Sequence, residues 1–417
     1  MTVRVEKPEF NLRDKLSQLD RRVGSMGGEI LASKSPKEVQ GLIGVGSRNM
    51  IINGGMKIAQ RGTSSTLNGS SGLQYPCCDR WGGQFSAPNS TFTVSQSTDA
   101  PVGHSHSLKF LTANAVTVDG NHYYWIGQKI EGLNFAQSGW NASTSGRTET
   151  AQPCTLSFWV KSSLPGKWCA SLKGVNNHTN SYLIVYEIKK PDTWEWKTHT
   201  IYPSPEITNW NYDTSAAMTI QFDVGTSRIG DLGTNVIGEW QNHNSYTYNH
   251  DKFIPSRIHG IAGATWYLTG VQFEPGPVAT PFEHRSYGEE LALCQRYFQT
   301  NFPPGINPQN GYYSSTSNLA AGFNGVVSFS GSQARAPWVM FHPKMRTTPT
   351  VTLYSASTSD TAGKWAAYKG SWSTGSSNTI DYFGGNGFGV RYGSGGHSFV
   401  TGEAYLYRGM WKAEAEL

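Results

Sequence analysis

Residues Trp266–Phe298 read WYLTGVQFEPGPVATPFEHRSYGEELALCQRYF. The first part mixes β-branched and aromatic residues in the manner of a β-strand. The middle carries Pro275, Pro277 and Pro281, and prolines favour extended backbone and cannot join a central sheet. RSYGEELALCQRYF then predicts one helix of about three turns, with Leu291, Cys294 and Tyr297 or Phe298 on one stripe. Strand, proline bridge and helix in succession mark the end of one β domain and the entrance to another. The prolines are expected to hold the two domains apart.

Upstream, NMIINGGM, SLKFLTA, HYYWIGQKIEGL, CTLSFWVKSS, SYLIVYEI, WKTHTIY, AAMTIQFDVG and ATWYLTGVQFE all read as strands, separated by Gly, Pro, Asn and Ser. That strand count suits a jelly-roll sandwich over residues 49–280. Downstream, AAGFNGVVSFS, APWVMFHPKM, TPTVTLYSA, NTIDYFG, GFGVRYG and TGEAYLYRGMWKAEAEL predict a second, distal β domain over 301–417. The bridge and helix at 281–300 link them. Sustained helical patterning is confined to residues 1–48. There Leu12, Leu16, Leu19 and Val23 form one apolar stripe, and Ser35, Pro36 and Glu38 read as a capped second helix. Helices this small bury no core alone and need a partner surface. The fold class expected is mainly β: a short N-terminal helical segment, a central jelly roll, a short linking helix and a distal β domain.

Composition supports that reading. Of 417 residues only 15% are charged, with 47 Gly, 14 Trp and 20 Tyr, which suits turn-rich β structure. The formal net charge of +5 is confined to residues 1–61, which hold 11 basic and 6 acidic residues; the remainder holds 23 of each. The body therefore has no excess charge to attract nucleic acid or an acidic membrane. No stretch approaches a membrane span and MTVRVEKPEF has no apolar signal core, so neither export nor membrane insertion is expected. The five cysteines, Cys77, Cys78, Cys154, Cys169 and Cys294, are odd in number and lack zinc-site spacing. Reduced thiols account for them more simply than a vicinal redox bridge.

RNMIINGGMKIAQRGTS, the triplet DRW at Asp79–Trp81, LSFWVKSS and the opening stretch together resemble tail-fibre and receptor-binding-type virion proteins of tailed bacteriophages, cyanophages in particular. MTVRVEKPEFNLRDKLSQLD resembles the start of cyanophage members, and MWKAEAEL resembles fibre C-termini. The resemblance covers most of residues 1–300 and the remainder weakly. It implies a carbohydrate-binding jelly roll whose first strand, around Met50–Asn53, lies beside its last, around Tyr267–Phe273. It also implies a homotrimer, in which three linking helices pack about the axis through Leu291 and Cys294. The N-terminal segment would anchor the chain to a phage tail protein through Leu12, Leu16, Leu19 and Val23. Assembly in the host cytoplasm and residence in the virion follow from the same likeness.

Catalytic patterns are missing: no G-x-S-x-G, H-E-x-x-H or phosphate loop occurs. Glu187, Glu195, Glu206, Asp223, Asp231 and Glu239 lie in the aromatic-rich middle, and a pair across a cleft would serve glycan cleavage; solvated loop carboxylates are the plainer reading. His104-Ser105-His106 would place both imidazoles on one strand face. Three such pairs about a threefold axis would give a six-nitrogen metal site, whereas two loop histidines need no metal. No cofactor or metal is expected, and no enzymatic activity. Two aromatic clusters carry the binding expectation. One is Trp194, Trp196 and Trp210. The other is Trp365, Tyr368, Trp372, Tyr382 and Phe383, in glycine-rich sequence that suggests exposed loops between Lys364 and His397. Trp365 and Trp372 are the expected anchors for host surface polysaccharide. A virion decoration protein without receptor role, and a polysaccharide depolymerase, are the alternatives.

Overall fold

In a computed structural model the protein forms two compact units, Met1–Arg48 and Asn49–Leu417. The structure describes residues 47–85, 91–116, 124–140, 151–174, 180–204, 210–225, 236–242, 258–312, 322–327, 334–335, 338–355, 363, 365–369, 371–374, 378–392 and 400–417. The stripe of Leu12, Leu16, Leu19 and Val23 lies outside them. The described chain is mainly β, in antiparallel sheets.

Among the described residues, two sheets make the sandwich. The six-stranded sheet runs in the order β1 (Ser64–Asn68), β4 (Thr91–Ser97), β5 (Ser107–Asn114), β13 (Thr265–Pro275), β7 (Cys154–Ser162), β10 (Glu195–Ile201). The seven-stranded sheet runs β12 (Trp240–Asn242), β9 (Asn180–Ile188), β8 (Gly166–Gly174), β11 (Ala216–Asp223), β6 (Tyr124–Glu131), β3 (Gly82–Phe85), β2 (Ser70–Gln74). Period-2 alternation builds the core between them. In β7, Leu156, Phe158 and Val160 point inward; in β11, Met218, Ile220 and Phe222 do. Edge-on aromatic pairs join the sheets, with Phe158 5.0 Å from Phe222 and 5.2 Å from Tyr186.

The expectation of a spacer is corrected by the backbone after β13, which folds back onto the sandwich. Glu274 captures Thr280 through its backbone N–H (2.8 Å) and hydroxyl (2.6 Å). Gln272 accepts from the Glu283 N–H at 2.8 Å. Buried Arg285 donates to the carbonyls of Ile51 (3.1 Å) and Asn49 (2.6 Å). The prolines thus shape a tight return rather than a strut. The chain at Met50–Asn53 does lie beside the end of β13, the Met50 N–H reaching the Phe273 carbonyl at 2.9 Å. It runs as bends rather than a strand, because Asn53 and Met56 adopt left-handed backbone (φ 57° and 56°).

The helix Tyr287–Gln295 is capped by the Ser286 side chain, which accepts from the Glu289 N–H. Its buried face is Glu290 and Cys294. Cys294 and the following Tyr297 pack with Ile52 and Ile58 of the same chain, with Leu291 at the margin. This corrects the expectation that the Cys294 face meets sister helices on an axis: its own sandwich already covers it.

Beyond the helix, Phe298–Thr300 and Thr350–Tyr354 flank Met410–Glu414 in a three-stranded sheet. A second small core gathers Val339, Phe341, Leu353, Trp365, Phe388 and Trp411. This distal part sits directly on the sandwich. Arg80, 1% exposed, is ion-paired to Glu416, stacks 3.6 Å over the Tyr297 ring and donates to the Lys129 carbonyl at 2.8 Å. Tyr297 donates its hydroxyl to Glu131, whose carboxylate also takes Arg296 at 2.6 Å. Arg346 reaches the carbonyls of Ala415 (2.9 Å), Glu416 (3.0 Å) and Thr214 (2.7 Å). DRW is therefore a structural triplet of this junction, its Trp81 donating to the Asn53 carbonyl at 3.0 Å.

Candidate functional site

The outer face of the six-stranded sheet carries the side chains that alternate with its core set. From β7 these are Ser157, Trp159 and Lys161, and from β13 Thr265, Tyr267 and Thr269; Trp159 and Thr265 are half-buried and the other four buried. Trp159 lies directly opposite Trp196 of β10 on one side and Thr269 of β13 on the other. Trp196 is 46% exposed and Trp159 half-buried. One row along, Lys161 sits 4.3 Å from the Tyr267 ring centre and 5.2 Å from that of Trp194. Trp194 meets Tyr267 edge-on at 6.0 Å and donates its indole N–H to Asp99 at 3.1 Å. Lys161 pairs with the other Asp99 oxygen. Partial desolvation alone would raise the Asp99 carboxyl, but the hydrogen bonds from Lys161 and Trp194 outweigh it and hold the group below its ordinary value.

Gly270 shapes the floor of this face. Its φ is +60°, and a Cβ there would lie 2.7 Å from the His104 ring and 3.1 Å from Trp159. His104 is tucked 5.0 Å from Phe282 and 5.5 Å from His284. Burial, with His284 and Lys57 nearby, pushes its imidazole down to about 4, so it is neutral at pH 7. His106 instead meets the Ser105 hydroxyl at 2.9 Å. Among the described residues no group of three or more His, Cys, Asp or Glu side chains could hold a metal ion.

Of the first aromatic cluster, Trp194 and Trp196 thus share an accessible face, and Trp210 does not. Trp210 is a core residue, 5.0 Å from Phe135 and 5.7 Å from both Trp140 and Trp240. The second cluster is reassigned more heavily. Trp365 is 0% exposed and donates its indole N–H to the Met410 carbonyl at 3.1 Å. It is a core residue, because a ring packed on Gly409 and sealed by the distal sheet has no face left for a ligand. The described residues of the glycine-rich stretch are also mostly strand, not loop. Tyr368 and Trp372 are backbone register partners in the hairpin Ala366–Lys369 to Ser371–Thr374, and Tyr382 lies within Asn378–Gly384. Phe383 is 57% exposed.

Sequence reasoning missed Trp159, Tyr267, Lys161 and Asp99. The alternation in CTLSFWVKS, with Leu156, Phe158 and Val160 inward, was the signal that puts Trp159 and Lys161 outward. Of the middle carboxylates, Glu195 holds a turn, accepting from the Lys189 and Lys190 N–H groups at 2.7 and 3.0 Å and pairing with Lys197. Asp223 accepts from the Gly225 N–H at 2.7 Å. Glu187 and Glu239 are exposed, and Glu206 and Asp231 lie outside the described residues.

The opposite face, on the seven-stranded sheet, is closed and polar. Trp125, Ser171, Lys173, Thr219 and Gln221 alternate with core residues there and are all buried. Among the described residues, the Trp125 indole nitrogen, the Ser171 hydroxyl and the Gln221 carbonyl oxygen have no hydrogen-bond partner. Burial pushes the Lys173 amine down to about 7.

No protein-family model and no curated protein matches this chain. Among solved structures there is partial likeness to the enzymatically active domain of tailspike protein 4 of bacteriophage CBA120, at 13% identity over 54% of this chain, with a TM-score of 0.26. This chain spans 21% of that one. The family 11 carbohydrate-binding module from Clostridium thermocellum, in complex with a β-1,3-1,4-mixed-linked tetrasaccharide, is similar at 10% identity over 52% of this chain and 99% of that one (TM-score 0.23). The CBM22-1 xylan-binding domain from Paenibacillus barcinonensis Xyn10C gives 8% identity over 56% and 100%, with a TM-score of 0.25.

Proposed function

We propose that this protein is a non-catalytic, glycan-binding virion component of the tail-fibre type, which adsorbs to host surface polysaccharide through the sandwich. The observation that carries the binding role is the cross-strand pair of exposed Trp196 and half-buried Trp159, bordered by Trp194, Tyr267 and the Lys161–Asp99 pair. Flat aromatic faces stack on sugar rings, and fixed polar groups beside them orient hydroxyls. The tail-fibre setting, a homotrimer, an N-terminal tail anchor and assembly in the host cytoplasm come from the family resemblance of the sequence. Weak single-site affinity would be offset by several copies binding together.

The test is binding of the full chain to host-derived surface polysaccharide, with product release measured alongside. Trp196→Ala should weaken binding at least about tenfold, or about 1.4 kcal/mol, with the melting temperature unchanged. Unaltered binding by Trp196→Ala together with loss in Gln221→Ala would move the site to the seven-stranded face. Release of oligosaccharide would instead make the protein a depolymerase.

A further inference from the structure

We propose that the junction between the sandwich and the distal part holds a second saccharide site, a cleft that takes a neutral sugar unit. The cleft encloses about 400 Å³ and is lined by Arg61, Gln74, Tyr75, Tyr354, Lys412 and Glu414, among others. That size falls within the ~300–1,000 Å³ common for small-ligand sites. It is a built feature. The strand Met410–Glu414 sends Trp411 and Ala413 into the distal core and turns Lys412 and Glu414 to the cleft. Its neighbour Thr350–Tyr354 likewise buries Leu353 and presents Tyr354.

The lining specifies the ligand class. Its charges are matched at close range: Lys412 to Glu414 at 2.8 Å, and Arg61 to Glu416 at 2.9 Å and to Glu414 at 3.7 Å. A net-charged ligand would gain little there, whereas paired donors and acceptors suit hydroxyl groups, which both give and accept. Arg61 lies 3.8 Å over the Phe298 ring and is 7% exposed, and among the described residues its buried Nε and Nη1 have no hydrogen-bond partner. Half-buried Tyr75 and Tyr354 supply flat surface on either part of the junction. Ligand held here touches both parts and so stabilises their docking.

This site shares a ligand class with the proposed function but none of its residues, so the two fail separately. The experiment is saturation-transfer NMR on the full chain with methyl α-glucoside, methyl α-galactoside, N-acetylglucosamine and, as charged control, glucuronate. At least one neutral sugar should receive saturation in the wild type and equally in Trp196→Ala. Gln74→Ala and Tyr354→Ala should reduce it several-fold; Gln74 lies near the surface, so its variant keeps the test valid if Tyr354→Ala fails to fold. Absence of transfer to every neutral sugar, transfer to glucuronate alone, or full transfer in Gln74→Ala would overturn the proposal. Loss in Trp196→Ala with retention in Gln74→Ala would place small-sugar binding on the aromatic face only.

Discussion

The junction and the aromatic face put similar side chains to opposite use. At the junction, Arg80 and Tyr297 stack at 3.6 Å, both buried, with Arg80 bonded to Glu416 and the Lys129 carbonyl and Tyr297 to Glu131. On the face, Lys161 and Tyr267 approach to 4.3 Å and are themselves buried, but beside them Trp196 is left nearly half open. A cation on an aromatic ring is therefore no guide to function by itself; what differs is whether an indole beside the pair stays open to solvent. Most of the stretches that carry the family resemblance, RNMIINGGMKIAQRGTS, DRW and the strand-to-helix segment, converge on the junction. They specify how two β parts are joined, not what either binds.

That contrast breaks first at Arg80. Arg80→Ala would leave Glu416 without its closest partner and Tyr297 without its stack, and should cost about 3–5 kcal/mol. The loss should show as earlier unfolding of the distal part in a chemical denaturation curve. Trp365→Ala should cost about 3–4 kcal/mol by opening a cavity in the distal core. Calorimetry checks this, and a melting temperature near wild type would return Trp365 to the surface.

A smaller effect is expected at Asp79, which lies in the same junction. Burial raises its carboxyl to about 6, against the opposing pull of Arg61 and the Gln60 hydrogen bonds. The folded protein then holds a proton that the unfolded chain, with its carboxyl near 3.8, gives up. The resulting stability is present in full below about pH 4 and is lost as pH rises through 6, a change on the order of 3 kcal/mol. Asp79→Asn should flatten that slope in melting curves taken between pH 4 and 7. The smallest effect belongs to the exposed aromatics. Trp196→Ala and Phe383→Ala should each alter stability by less than about 0.5 kcal/mol, and of the two only Trp196→Ala should reduce polysaccharide binding. Because the body of the chain is charge-balanced, that binding should change little with salt.

Local pattern was enough for much of this. Alternation in CTLSFWVKS and TWYLTGVQF specifies strands and their inward residues. The run RSYGEELALCQRYF specifies a short helix, and the scarcity of charge specifies a β protein. Each is a statement about neighbours a few residues apart, where backbone geometry and period act directly. Exposure is a different kind of quantity. Trp196 and Trp210 lie 14 positions apart in similar surroundings, WEW and NWNY, yet one is open and the other is packed among Phe135, Trp140 and Trp240. The prolines read as a strut because proline favours extended backbone; they form a return because Glu274 and Gln272 hold Thr280 and Glu283. Arg80 is buried because Glu416, 336 residues away, closes over it. Composition and period settled what kind of surface each strand can make. Only the tertiary structure decided which surfaces remain open, because a side chain's burial depends on whatever distant part of the chain excludes water from it.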